Sequence, residues 1–269
     1  MQLLSKLVAS VLDGWSYPLA ALAFLVENLA LFAVALAGGA LLVHWFRERR
    51  VVSAPPRIQP LEYATAAGTV LLNTLVTLAG LWLYRHGIIH IRHDTGLRAL
   101  ADAPLILLFM DAAMYALHRI AHIEPLFKLL HAHHHRYQRP RPLTLFVLHP
   151  LETLSFGGLW LMVITVYSAS WLGISIYLTL NVVSGIVGHL GVEPMRRSWR
   201  AFPLAGGTFH AQHHRDGAHN YGFYSLVWDR LFGTLSPRYE DEFARLPELE
   251  REIPGEADRA QAILQRSTR

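Results

Sequence analysis

The sequence predicts an all-α integral membrane helical bundle of about four to five transmembrane helices. Hydrophobic residues make up 52% of the 269 and charged residues 16%, and the mean hydropathy is +0.27, well to the apolar side of an ordinary soluble domain. Apolar stretches recur at lengths near the roughly 20 residues that a spanning helix requires. Six histidines fall between residues 118 and 135, and three more between 210 and 214, at positions expected to share one membrane face.

Taken in order, Leu3, Leu4, Leu7, Val8, Val11 and Leu12 recur at helical spacing over residues 1 to 16 and suit an interfacial helix. A signal peptide fits less well, because no small-residue cleavage site follows a short apolar core. The stretch from Tyr17 to Phe46 is interrupted only by Glu27, Asn28 and His44 and is the first span. Arg47, Arg49, Arg50 and Arg57 follow it, with Pro55 and Pro56 ending the helix. A short basic loop argues for the cytoplasm, which puts the amino terminus outside.

Thr65 to Tyr84 forms the second span, and the polar loop from Arg85 to Arg98 carries His86, His90 and His93, read as surface residues on the opposite side. Asp102 followed by Pro104 predicts a helix start. From Ala103 to His122 is about 30 Å of helix, which delivers His118 and His122 to the cytoplasmic interface in the last turn. Residues 122 to 150 are basic and interfacial. Leu151 to Gly191, broken near Ser168 to Gly173, accommodates two passes, so His149 and His189 return to the face of His118. Residues 1–238 are expected to form a single membrane-embedded domain, and 239–269 a polar C-terminal helix or tail on the cytoplasmic side.

The absence of cysteine excludes disulfides, thiolate-bound iron and zinc ribbons, leaving nitrogen and oxygen to hold any metal. A pI near 9.5 and net charge of +4 could suit nucleic acid, but the arginines flank apolar spans and mark the cytoplasmic face instead. Residues at i, i+3 and i+4 share a helix face, so His118/His122 present two rings, while His131/His134/His135 and His210/His213/His214 would each present three if helical. Eight such nitrogens exceed the usual coordination number of about four to six for one ion, which points to two metals. Imidazole suits zinc and iron alike.

Tyr115 and Asp111 continue the stripe of His118, where Asp111 would either fix the tautomer of a ligand imidazole, directly or through Tyr115, or bond a neighbouring helix. His149 and Glu152, beside Pro150, read as a pair behind the metal ligands or as a helix N-cap. Trp228 suits the membrane interface, and Asp229 with Arg230 suggests a charge pair locking the last segment. Arg139 and Arg141 could meet lipid head groups, although positive-inside bias alone accounts for them.

His118-Arg-x-x-His122, His131-x-x-His134-His135 and His210-x-x-His213-His214 resemble the three histidine boxes of the fatty acid hydroxylase / sterol desaturase superfamily of membrane di-iron oxygenases. His149-Pro-Leu-Glu152, Gly188-His189-x-Gly191 and the run from Asn220-Tyr-Gly to Phe-Gly-Thr234 extend the resemblance over roughly 111–234. It implies a cytosolic-face di-iron site, two Fe ions with O2 as co-substrate, that hydroxylates or desaturates a lipid C–H bond using two external electrons. Under it, the eight box histidines carry over as ligands and His189 as a ninth. His133 is additional within the second box and suits the layer behind the metal. Ala211 stands where an acidic residue often follows the first histidine of the third box. Glu193, four residues after His189, is placed to reach the same metal or its water.

With no haem, flavin or cysteine motif, such an enzyme would need an electron donor such as a ferredoxin, a cytochrome b5-like protein or a reductase, for which the arginine loops are candidate docking surfaces. A divalent-metal transporter would place ligands near the midplane on broken helices, and a zinc hydrolase would show a His-Glu-x-x-His motif. Both are disfavoured.

Overall fold

The computed structural model describes residues 2–196, 198–199 and 202–247. The chain opens with α1 (Gln2–Ala9), which runs into a π-helical turn over Ser10–Gly14. Pro18 in the first turn then starts α2 (Tyr17–Trp45), the longest helix. Of its side chains only Ala20, Ala35 and Gly39 are buried, while Leu22, Val26, Val34 and Trp45 project outward. Such an apolar outer surface is stable against lipid rather than water.

α3 (Pro60–Arg85) begins five residues before the expected Thr65. The cause is a capping box that hydropathy does not reveal. The Gln59 N–H donates to Glu62 Oε1 at 2.8 Å, and Pro60 supplies a preset first turn. The buried Glu62 also pairs with Arg141 at 3.4 Å, which ties α3 to the loop following the second histidine box.

α4 (Leu97–Ala121) likewise starts early, after Gly96, so the expected start at Asp102 is corrected. Asp102 lies inside the helix and is satisfied from outside it. Its carboxylate accepts from Arg92 Nη2 at 2.8 Å, the Tyr167 hydroxyl at 2.7 Å and the Ser170 N–H at 2.7 Å. Left unpaired, a buried charge of this kind would cost several kcal/mol, on the order of 3–5. Pro104 sits in the second turn and forfeits one backbone bond without ending the helix.

α5 (Pro150–Val166) and α6 (Trp171–Gly188) form the expected hairpin, with Ser170 Oγ accepting from the Gly173 N–H at the start of α6. α2, α3, α4 and α6 are each long and apolar enough to cross a membrane, whereas α5 is shorter, its 17 residues rising about 26 Å. α4 packs on α5 and α6, and α3 on α2 and α5, around Ile106, Met110, Met114 and Tyr177. The C-terminal end of α4, the N-terminal end of α5 and the C-terminal end of α6 share one face.

Over that face lie short turns at Phe127–His131, His134–Arg136 and Pro142–Phe146. Beyond α6 come α7 (Gly207–Asp216), α8 (Val227–Leu231) and α9 (Tyr239–Arg245). Tyr239 and Phe243 are buried, Tyr239 against Phe209 and Leu226, so the part of the expected polar tail nearest residue 238 packs onto the domain. The remainder of that tail, from residue 248, lies outside the described residues.

Candidate metal centre

The last turn of α4 brings His118 and His122 to the covered face. His118 Nδ1–H donates to the Tyr221 carbonyl at 2.8 Å, which leaves its Nε2 without a proton and turned inward. The same arrangement recurs around the site. Nδ1 of His131 bonds Glu152 Oε1 at 2.6 Å, that of His134 the Val147 carbonyl at 3.2 Å, that of His189 the Gly185 carbonyl at 2.8 Å and that of His213 the His219 carbonyl at 2.7 Å. Each outer bond fixes a tautomer and presents Nε2 as a lone-pair donor.

These donors gather in two groups. His118, His122, His131, His135 and His213 form one, and His134, His189, His210 and His214 the other, with ligand atoms in each group within 4.8 Å of one another. Nε2 of His118 and His131 stand 2.9 Å apart, those of His135 and His213 3.0 Å, those of His189 and His210 3.0 Å, and those of His210 and His214 3.1 Å. Facing lone pairs at that range repel, and a cation between them converts the repulsion into ligation. His122 Nε2 is buried with no hydrogen-bond partner among the described residues, as a ligand nitrogen would be. The donor set therefore fits two metal ions.

Electrostatics agree. Burial first, then mutual repulsion among would-be imidazolium rings, holds His122 down to about 2 and His135 to about 3. Burial brings His189 to about 4. For the same reasons His131, His134, His210, His213 and His214 lie well below the usual imidazole range. At neutral pH all of them are uncharged, which is the metal-binding form.

All nine expected histidines converge, but not box by box. The second box is not a continuous helix. A π turn ends at His131 and a 3-10 turn begins at His134, sending His131 and His135 to the five-histidine group and His134 to the other. In α7, His210 and His214 share a face while His213 points to the other group. Each triplet bridges the two groups instead of serving one ion. The start of α7 approaches closely because residue 207 is glycine: a Cβ there would lie 2.1 Å from the Val192 carbonyl oxygen.

Several expected roles change. Asp111 does not touch a histidine. It accepts from the Ser225 N–H, the Ser225 hydroxyl and Trp228 Nε1, tying α4 to the C-terminal segment. Tyr115 bonds the Thr234 hydroxyl at 3.0 Å rather than relaying to an imidazole. Glu193 is turned from the metal groups, since its carboxylate accepts from the Met195 and Thr208 N–H groups and so caps α7. His149 takes the N-cap alternative, accepting from the Leu151 N–H, and Glu152 meets His131 instead of His149.

His133 lies outside both groups, beside Tyr137. Asp229 does not pair with Arg230, which meets Glu240 at 3.3 Å. Asp229 instead accepts from the N–H groups of Tyr221 and Gly222 and from the Thr234 hydroxyl. Arg139 and Arg141 donate to the Ala54 and Pro56 carbonyls, stapling the loop before α3 to the loop after the second histidine box. His86, His90 and His93 are exposed and in neither group. The backbone carbonyls that orient the imidazoles carry no sequence signal; the one local clue is Asn220, whose positive φ of 63° sets the turn into Tyr221.

Helices of spanning length ending in a buried double histidine cluster define a membrane-embedded metalloprotein. Residues 103–234 match the family model described as fatty acid hydroxylase. All three histidine boxes, from His118 to His214, fall within the matched segment. The chain is 32% identical over 127 residues to methylsterol monooxygenase 1 of Gallus gallus, covering 47% of this chain and 43% of that protein. It is 29% identical over 155 residues to Delta(7)-sterol-C5(6)-desaturase of Nicotiana tabacum, covering 54% and 53%. Lathosterol oxidase of Rattus norvegicus is 31% identical over 133 residues, covering 48% and 43%. The chain spans about half the length of the curated relatives it matches. No solved structure matches it.

Proposed function

We propose that the chain is an O2-dependent di-iron oxidoreductase that hydroxylates or desaturates a C–H bond of a membrane lipid, with a sterol-like lipid as the favoured class. The observation that carries this reading is the convergence of unprotonated imidazole nitrogens into two adjacent groups. The names of the relatives, which are sterol oxygenases and desaturases, support iron over zinc and a sterol over an acyl chain.

When bound, the iron pair would supply the redox chemistry with dioxygen that an unactivated C–H bond requires. In hydroxylation one oxygen atom enters the substrate, and the other leaves as water with two external electrons and two protons. In desaturation two hydrogens leave the substrate and, with two external electrons and two protons, both oxygen atoms leave as water. Glu152, with the Tyr221, Val147 and Gly185 carbonyls, keeps the imidazoles oriented and neutral. A narrow crevice lined by Ser184, Gly185, Gly188, Ala205, Gly206 and Phe223 reaches His189 and His210. We assign it as the approach of the substrate C–H bond, where small residues leave room and exclude bulk water.

Arg47, Arg50, Arg57, Arg136 and Arg139 lie on the loops of the histidine face, which supports a cytoplasmic orientation. The same positive surface suits an acidic electron donor such as a ferredoxin, a cytochrome b5-like protein or a reductase. The test is metal analysis of protein purified anaerobically, together with mass spectrometry of lipids from cells with and without the chain. Two irons per chain and a sterol that has gained one oxygen or lost two hydrogens are expected; zinc at both groups with an unchanged lipid profile would overturn the reading.

A further inference from the structure

Within His118-Arg119-Ile-Ala-His122, the arginine points away from the metal groups. Arg119 is exposed on the outer side of the last turn of α4. Its Nη1 donates to the Tyr115 hydroxyl at 3.2 Å and its guanidinium lies 6.0 Å from the Phe232 ring centroid. Among the described residues no carboxylate pairs with it. It overlooks a groove of about 470 Å3 between α4 and α8, with Ala112, Ala116 and Ile120 on one wall, Phe232 on the other and Tyr115 at its side. Above the groove, the outer face of α4 continues through Leu105, Leu108 and Phe109, all exposed.

We infer that this groove binds the head group of an anionic phospholipid from the surrounding leaflet, Arg119 holding its phosphate while an acyl chain runs up the face of Ile120, Ala116, Phe109 and Leu105. Three observations fix the occupant. The guanidinium sits in the last turn of a spanning helix, at head-group depth. Among the described residues no carboxylate balances its charge, and a planar fork matches phosphate geometry. The groove is continuous with the lipid-facing strip, so a lipid reaches it by sliding along the bilayer without crossing water. Tyr115 packs on Phe232, ring centroids 5.5 Å apart, so a phosphate at Arg119 would also draw α8 onto α4. The inference rests on the chain being membrane-embedded and not on the proposed oxygenase activity.

The test is native mass spectrometry of the full chain released from mild detergent, offered phosphatidylglycerol, phosphatidylcholine of the same acyl chains, or inorganic phosphate. The wild type should retain phosphatidylglycerol about five-fold over phosphatidylcholine, the increment one basic side chain provides at a membrane surface. Arg119→Gln should abolish the preference, Arg119→Lys should keep part of it, and Phe232→Ala should weaken retention of both lipids. Metal content measured on the same Arg119→Gln sample, expected unchanged, separates lipid loss from damage to the adjacent site. Equal retention of the two lipids by the wild type, an unchanged preference in Arg119→Gln, or displacement of phosphatidylglycerol by inorganic phosphate would overturn the inference.

Discussion

His131 Nδ1 and Glu152 Oε1 meet at 2.6 Å between the turn over Phe127–His131 and the first turn of α5, both side chains buried. The carboxylate both orients the imidazole and strengthens its Nε2 as a donor. Glu152→Ala should weaken metal binding about 10- to 100-fold, the usual consequence of deleting such a partner. Glu152→Gln, which keeps an acceptor without the charge, should lose less. Metal titration of the apoprotein compares the two.

The division of the boxes makes stoichiometry a test of geometry. His213→Ala removes a member of the five-histidine group, and His214→Ala, its sequence neighbour, a member of the four-histidine group. Each should lower bound metal from about two ions to about one per chain. The double variant should approach none. His133→Ala and His149→Ala, outside both groups, should leave metal content as in the wild type.

Asp111→Ala should unfold the chain more readily without emptying the metal site. It strands the half-buried Ser225 N–H and Trp228 indole N–H, at a cost toward the lower end of the roughly 1–3 kcal/mol for an unpaired buried group. A lower thermal midpoint with unchanged metal stoichiometry is expected. Loss of metal at a temperature where the fold persists would return Asp111 to the role of orienting an imidazole.

Acid should destabilise the apoprotein. The folded values of His122, His135 and His189, about 2, 3 and 4, lie below the ordinary 6.5 of an exposed imidazole. Below about pH 6.5 the unfolded chain therefore binds more protons than the folded one. The stability these residues contribute is complete above that pH and is lost as pH falls toward the folded values. Thermal midpoints of metal-free protein should be flat from pH 7 to 8 and fall progressively from about 6.5 to 4. Metal retention should fall over the same range, since protons and metal compete for Nε2.

Much of this was legible in the sequence because hydropathy and histidine spacing are local signals. The spans, the hairpin broken near Ser168 and the eight box histidines follow from them, while His189 as a ninth ligand rests on the family resemblance. The early starts of α3 and α4 do not, since Glu62 and Asp102 are tolerated only through partners distant in sequence, Arg141 for one and Tyr167 and Ser170 for the other. The sorting of each box into two groups was equally hidden, because it depends on a π turn and a 3-10 turn within one histidine-rich run. Asp111 lies on the stripe of His118, yet its partner arrives 114 residues later. Helical periodicity shows which residues share a face but not what approaches that face.

The knot of Asp102 with Arg92, Tyr167 and Ser170 acts as the fulcrum of the bundle. It pins the start of α4 to the turn that begins α6, and from there α4 climbs about 24 Å to His118 while α6 runs the same way to His189. Two struts clamped at one end can diverge at the other only by the small angle that the clamp permits. The gap between the two histidine groups is thus set partly by a joint at the far end of the bundle, some sixteen residues of helix away from the nearest of those imidazoles.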